Sequence, residues 1–278
     1  MKKWNLIIDV AKCHDCNNCF LACKDEHCDN SFPPYAVAQP WHGHRWVNIM
    51  RKERGQFPQI DVAYLPLFCM HCDNAPCIKA AQDGAVYKRD DGIVIIDPVK
   101  AQGQKHLVDA CPYGAIWWNE EHTLPQKCTL CAHLLDEGWK EPRCVQACPT
   151  GALRIVKVED GEMEKLITAE NLEPLHPHYH TKPRVYYKNL FRYTHCFIAG
   201  SVAVERDGVS DCAQGATVTL IKDSEKRQAI TDTFGDFKFD GLEENSGIYN
   251  IEISYEDREV KRLEVEVDKS VSLGTVWV

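Results

Sequence analysis

The sequence predicts an α+β chain in two parts: a loop-rich first part with short helices and strands, and an all-β sandwich at the C-terminal end. Three observations carry this. Thirteen of the fifteen cysteines lie in residues 1–148, at close spacings. Punctuating signals crowd the same stretch, among them Asn74-Ala75-Pro76, Asp91-Gly92 and Cys111-Pro112-Tyr113-Gly114, so its regular elements are brief and its cysteines sit on loops. From residue 196 onward the pattern changes to period-two apolar alternation, the mark of half-buried strands.

Taken in order, residues 1–154 form the cysteine-bearing domain and 155–195 an extension without cysteine, expected to contact a partner. Within the extension Gly161–Glu173 reads as a helix, and His176-Pro177-His178-Tyr179-His180-Thr181-Lys182-Pro183 as an extended connector. Residues 196–278 form the sandwich. Its strands are read at Val218–Ile221, Phe237–Phe239, Tyr249–Tyr255, Leu263–Val267 and Val271–Val278, with turns at Phe234-Gly235-Asp236 and Glu244-Asn245-Ser246-Gly247. The whole would have about seven strands.

With 44% hydrophobic and 26% charged residues the chain can bury a core, which excludes wholesale disorder. Its net charge of −9 argues against a nucleic-acid binder. Residues 196–278 carry nine basic and seventeen acidic side chains and so hold most of that charge. The opening run Trp4–Val10 is interrupted by Asn5 and Asp9, too short and polar for a signal peptide. No stretch is long enough to span a membrane. The expected location is the cytoplasm, and disulfides are then the weaker reading of the cysteines.

The cysteines fall into four groups. The first, Cys13-x2-Cys16-x2-Cys19-x3-Cys23, has the bacterial ferredoxin spacing, with Lys24 where a proline usually follows. In that spacing three thiolates hold one [4Fe–4S] cluster and the fourth reaches a second. The second group is Cys69-x2-Cys72-x4-Cys77, the third is Cys111-Pro112, and the fourth is Cys128-x2-Cys131-x12-Cys144-x3-Cys148-Pro149. Counting then pairs them. Cys13, Cys16, Cys19 and Cys148 hold one cluster. Cys128, Cys131, Cys144 and Cys23 hold the next. Cys69, Cys72, Cys77 and Cys111 hold the third. A fourth cluster would need a cysteine where Ala81 stands and three more in Lys105–Ala110; both are missing, consistently. Zinc also uses Cys-x2-Cys pairs, but it leaves the x2-x2-x3 run and the two Cys-Pro partners unexplained.

Cys28, Cys196 and Cys212 remain, and read as small buried hydrophobes; Cys28 is the one substitute ligand the spacing allows. His176, His178 and His180 alternate, as a solvated or interface loop rather than a metal site. His42-Gly43-His44-Arg45-Trp46 reads as packing. No glycine-rich phosphate loop or nucleophile–base constellation is present, so no catalytic residue is assigned.

On seven stretches the chain resembles the iron–sulfur subunits of molybdopterin oxidoreductases of the dimethyl-sulfoxide-reductase type. They are Ile8–Cys19, Gly43–Asn48, Cys69–Cys77, Asp91–Pro98, Cys111–Gly114, Gln126–Asp136 and Thr181–Leu190. Within that family it is most similar to the small subunits of hydroxytransferases acting on polyhydroxylated phenols. The segments Gly215-Ala216-x-Val218-x-Leu220 and Thr231-Asp232-x2-Gly235-x-Phe237-x-Phe239 resemble prealbumin-like or carboxypeptidase-regulatory-like sandwiches. The resemblance implies a large catalytic partner subunit holding molybdenum, or tungsten, in a bis-molybdopterin guanine dinucleotide, with the phenol bound there. This chain would then transfer electrons through three [4Fe–4S] clusters. Other readings are the same role in a resorcinol-type hydroxylase, a catechol dehydroxylase or another molybdenum reductase, and, in a different class, a stand-alone polyferredoxin.

Overall fold

The structure, a computed structural model, describes residues 1–278. They divide into two units, Met1–Met50 with Tyr64–Leu190 and Arg51–Ala63 with Phe191–Val278. The first unit is organised by strand Lys3–Asp9. It runs antiparallel to Leu153–Val158, with Ile8 opposite Leu153, and parallel to Val185–Lys188, with Leu6 opposite Val185. Both faces of this central strand are buried. Ile7 packs with Met163 and Leu172 under helix Asp160–Glu170, while Trp4, on the opposite face, packs with Ile93, Ile95 and Leu130. Burial of side chains this size contributes roughly 1.5–3 kcal/mol each.

Helix Asp160–Glu170 lies slightly before the predicted Gly161–Glu173. Glu159 and Glu162 form a capping box at its start, and Asn171, left-handed at φ 52°, ends it. The connector at 176–183 is not extended as expected. Pro177–Tyr179 forms a turn of 3₁₀ helix between left-handed His176 and His180, because Pro177 supplies the φ that starts such a turn. The histidine rings therefore do not line up. His176 stacks on Tyr113, with centroids 6.4 Å apart.

Two short hairpins belong to this unit. Val86–Lys88 pairs with Val94–Ile96, and Trp117–Asn119 with Leu124–Gln126. A longer hairpin, Asn48–Gln56 with Gln59–Leu67, has its outer part, 51–63, in the second unit.

The second unit holds two four-stranded sheets. Cys196–Arg206 is central to one, pairing antiparallel with Val209–Cys212 and Asp236–Leu242 and parallel with Val271–Trp277. The other has the order Glu225–Ile230, Thr217–Lys222, Gly247–Ser254, Lys261–Val267. Their inner faces share one core that includes Ile198, Val204, Val218, Phe237, Ile251 and Val265. There are eight strands rather than about seven. All five predicted ones are present, and Cys196–Arg206, Val209–Cys212 and Glu225–Ile230 are additional. Within this unit Arg54, with a 1% exposed side chain, bonds both carboxylate oxygens of Asp240 and pairs with Asp61.

Candidate metal centres

The register of the central strand positions the first thiol group. With Ile8 opposite Leu153, the loops running on from Asp9 and back from Leu153 meet; the Asp9 N–H donates to the Ala152 carbonyl at 2.8 Å. Asp15 and Asn17 are left-handed, at φ 56° and 60°, which tightens the Cys13–Cys19 loop. Asn17 steadies it by donating to the Asp15 carbonyl at 2.8 Å. Cys13 is an electrostatic neighbour of Cys16 and Cys148, and Cys19 of all three. This is the outermost group: Cys16 is exposed, Cys13 and Cys148 half-buried, and Cys19 buried. Burial raises the Cys148 thiol, but the N–H groups of Leu153, Ala152 and Thr150 and the Thr150 hydroxyl outweigh it and lower its pKa.

Two helical segments carry thiols toward the second group. Helix Asn18–His27 holds Cys19 and Cys23 one turn apart, and Arg143–Gln146 opens the turn that holds Cys144 and Cys148. Residues four apart share a helix face, and these two helices pack together. Cys23 neighbours Cys128 and Cys131, and Cys144 neighbours all three. All four are buried. Burial pushes Cys131 up to about 12 and Cys128 to about 11. Donors reach the sulfurs: Leu130 N–H to Cys128 Sγ at 3.3 Å and the Gln39 amide to Cys23 Sγ at 3.8 Å. His27 Nε2 lies 3.9 Å from Cys131 Sγ.

Cys69, Cys72, Cys77 and Cys111 line one cavity, walled also by Pro112, Tyr113 and Lys127. Burial pushes Cys72 up to about 12 and Cys77 to about 11. The His71 N–H points to Cys69 Sγ at 3.5 Å, and the Thr181 hydroxyl bonds Cys72. Cys144 also neighbours Cys19, and Cys128 neighbours Cys69. The second group thus lies between the first and the third.

All fifteen thiols are free. No three His, Cys, Asp or Glu side chains close around a single ion; zinc would hold its thiolates at about 2.3 Å from one centre. Instead four thiols line one cavity in the third group, and in the first and second groups the thiols are electrostatic neighbours. Ionising four buried thiols together is opposed by burial and by their mutual repulsion, and a polynuclear cation relieves both. The donor chemistry fits a [4Fe–4S] cluster with four cysteine ligands. The remaining cysteines stand apart. Cys28 is buried with Sγ 3.7 Å from the Pro40 carbonyl, Cys196 donates to the Leu242 carbonyl at 3.2 Å, and Cys212 is exposed on a strand.

Sequence reading missed the residues around the thiols. Lys127, Thr181 and Arg184 all lie in stretches singled out above, but nothing in their spacing points to a role. Arg184 is 5% exposed and reaches Asp73 and Asp160; its backbone N–H donates to the Met70 carbonyl. It thus fastens the extension to the loop carrying the third group.

Residues 60–158 match the 4Fe-4S dicluster domain family, so the class is an iron–sulfur protein of ferredoxin type. The chain is 47% identical to the pyrogallol hydroxytransferase small subunit of Pelobacter acidigallici, over 99% of each chain. It is 32% identical to a sulfite dehydrogenase subunit of Allochromatium vinosum, over 67% of this chain and 83% of that one. With a tetrathionate reductase subunit of Salmonella typhimurium the identity is 32%, over 68% and 73%. The chain belongs to the family of iron–sulfur subunits of dimethyl-sulfoxide-reductase-type oxidoreductases, alongside the pyrogallol hydroxytransferase small subunit. No helix is long and apolar enough to cross a membrane.

Proposed function

We propose that the chain is the electron-transfer subunit of a molybdopterin enzyme that transfers, adds or removes hydroxyl groups on polyhydroxylated phenols. The observation that carries this is the row of three four-thiol groups in a chain alike along its whole length to a hydroxytransferase small subunit. Cys13, Cys16, Cys19 and Cys148 would hold the first cluster. Cys23, Cys128, Cys131 and Cys144 would hold the second, and Cys69, Cys72, Cys77 and Cys111 the third. When bound, such clusters supply one-electron storage and transfer.

The chain's own residues bury the second and third groups and aim N–H donors at their sulfurs, which favours the more negative, reduced state. With four cysteine ligands a cluster has no vacant position for a phenol, so the chemistry belongs to a large partner holding bis-molybdopterin guanine dinucleotide with molybdenum or tungsten. The domain limits proposed are 1–154, 155–195 and 196–278, the last a prealbumin-like interaction module, and the location proposed is the cytoplasm.

The test is to prepare this chain and its large partner anoxically, apart and together. The joined complex should convert pyrogallol, resorcinol or catechol. The isolated chain should be reduced by a one-electron donor yet convert none of them. Turnover by the isolated chain overturns the proposal.

A further inference from the structure

Lys127 is a buried cation with no anionic partner in the protein. Its side chain belongs to a residue only 2% exposed. Its Nζ donates to two backbone carbonyls, that of Val94 and, at 3.1 Å, that of Cys128. No carboxylate pairs with it. One of its three N–H donors is left over. Lys88, in the same region, is the opposite case. It bonds the carbonyls of His71, Cys72 and Gly92 and also pairs with Asp73 at 2.9 Å.

A buried ammonium is costly unless a negative charge answers it. The surroundings of Lys127 leave one source. It lines the cavity of Cys69, Cys72, Cys77 and Cys111, and it directly precedes Cys128 of the second group. Its charge favours the thiolates of Cys77, Cys111 and Cys128. The adjacent His71 uses Nδ1 to accept the Val94 N–H at 3.0 Å and brings no negative charge. None of the leading influences on Cys13, Cys19 or Cys148 comes from Lys127.

We infer that Lys127 is the shared counter-charge of the second and third thiol groups, and that it raises the reduction potentials of the clusters held there without moving the first. This rests on reading the three groups as cluster sites. Each electron arriving at either site adds one negative charge, with no bond made or broken, and the fixed ammonium offsets part of it. Lys127 is thus a positioning residue for electrons. It lowers the cost of placing an electron in the inner two sites relative to the outer one.

The test is a redox titration of the anoxically purified complex, followed by electron spin resonance, with iron counted in each preparation. In Lys127→Gln the reduction equilibrium of the second and third clusters should fall about tenfold, or about 59 mV downward for a one-electron couple. The first cluster should stay in place. Lys127→Arg, which keeps the charge, should restore both potentials. If Lys127→Gln loses iron from these two sites and Lys127→Arg keeps it, the counter-charge role also stands. Unchanged potentials in Lys127→Gln, an equal shift of all three clusters, or iron loss that Lys127→Arg does not prevent would overturn it. Wild-type complex lacking iron at these sites would instead refute the cluster reading itself.

Discussion

Tyr113 and Thr181 share a 2.7 Å hydrogen bond between their hydroxyls, joining the loop after Cys111 to the extension that precedes the last strand of the first unit. The Tyr113 hydroxyl also faces the Leu175 carbonyl at 3.3 Å, so its one proton is shared between that oxygen and Thr181, and the Thr181 proton is the one that can reach sulfur. Thr181, 2% exposed, also bonds the Cys72 sulfur. Thr181→Val keeps the shape and removes the hydroxyl. The expected result is a lower potential for the third cluster alone, because a donor to its sulfur is gone. The cost in stability should be about 1 kcal/mol. Redox titration of the variant complex checks this, and a shift in the second cluster as well would contradict it.

Iron content tests the grouping of the thiols. The chain should carry about twelve irons, four for each of three clusters. Cys111→Ala should remove about four and leave the spin signals of the first two clusters intact. Cys28→Ala, Cys196→Ala and Cys212→Ala should keep all the iron and cost on the order of 1 kcal/mol where the thiol is buried. Loss of iron from Cys28→Ala would make Cys28 a ligand and displace one of the twelve.

Acid should loosen the second unit through Asp61. Burial raises this carboxyl, but hydrogen bonding to Arg54 and the charges of Lys238 and Arg192 overcome that and hold it at about 2. A carboxyl depressed in the folded state stabilises the fold above its unfolded pKa, near 4, and loses that contribution as the pH falls toward 2. Amide protection of peptides from 196–278, corrected for the intrinsic pH dependence of exchange, should therefore fall between about pH 4 and pH 2. In Asp61→Asn that dependence should flatten. An Asp61→Asn profile identical to wild type would assign the acid response to other groups.

Gly55 is a position where size decides. Its φ is +83°, and a Cβ there would lie 2.3 Å from the Gln59 carbonyl oxygen and 2.6 Å from Phe197 Cζ. Gly55→Ala should cost on the order of 2 kcal/mol or more, from the left-handed backbone and the clash together. Faster exchange at 51–63 and in Cys196–Arg206, with unchanged iron, is the expected result. A variant as stable as wild type would show that the hairpin tip shifts freely.

Much of this architecture was readable in advance because its signals are local. Ferredoxin spacing is a property of a few consecutive residues, and alternation in Tyr249–Tyr255 reports one buried face. The missed strands lack that signal. Cys196–Arg206 opens with five buried residues in a row, so it shows no alternation, and Glu225–Ile230 is polar and largely exposed at a sheet edge. The surroundings of the thiols were illegible for another reason. Arg184 meets Asp73 across 111 positions of sequence, and Lys127 is recognisable only by the carboxylate it lacks. The 176–183 stretch misled because a residue before proline is expected to be extended, whereas His176 is left-handed and Pro177 begins a turn.

The thiol groups are nested along the chain like brackets: 69–111 inside 23–144, and that inside 13–148. During synthesis from the N-terminus the innermost set is complete first, once Cys111 has emerged. The second waits for Cys144 and the outermost for Cys148, by which time Cys23 of the second and three thiols of the outermost have long been exposed. The thiol sets are therefore completed from the inside outward, and a chain truncated near residue 120 would offer one finished set and two open ones. The outermost set also waits on the pairing of Lys3–Asp9 with Leu153–Val158, so its closure doubles as a check that the chain has been made as far as that strand.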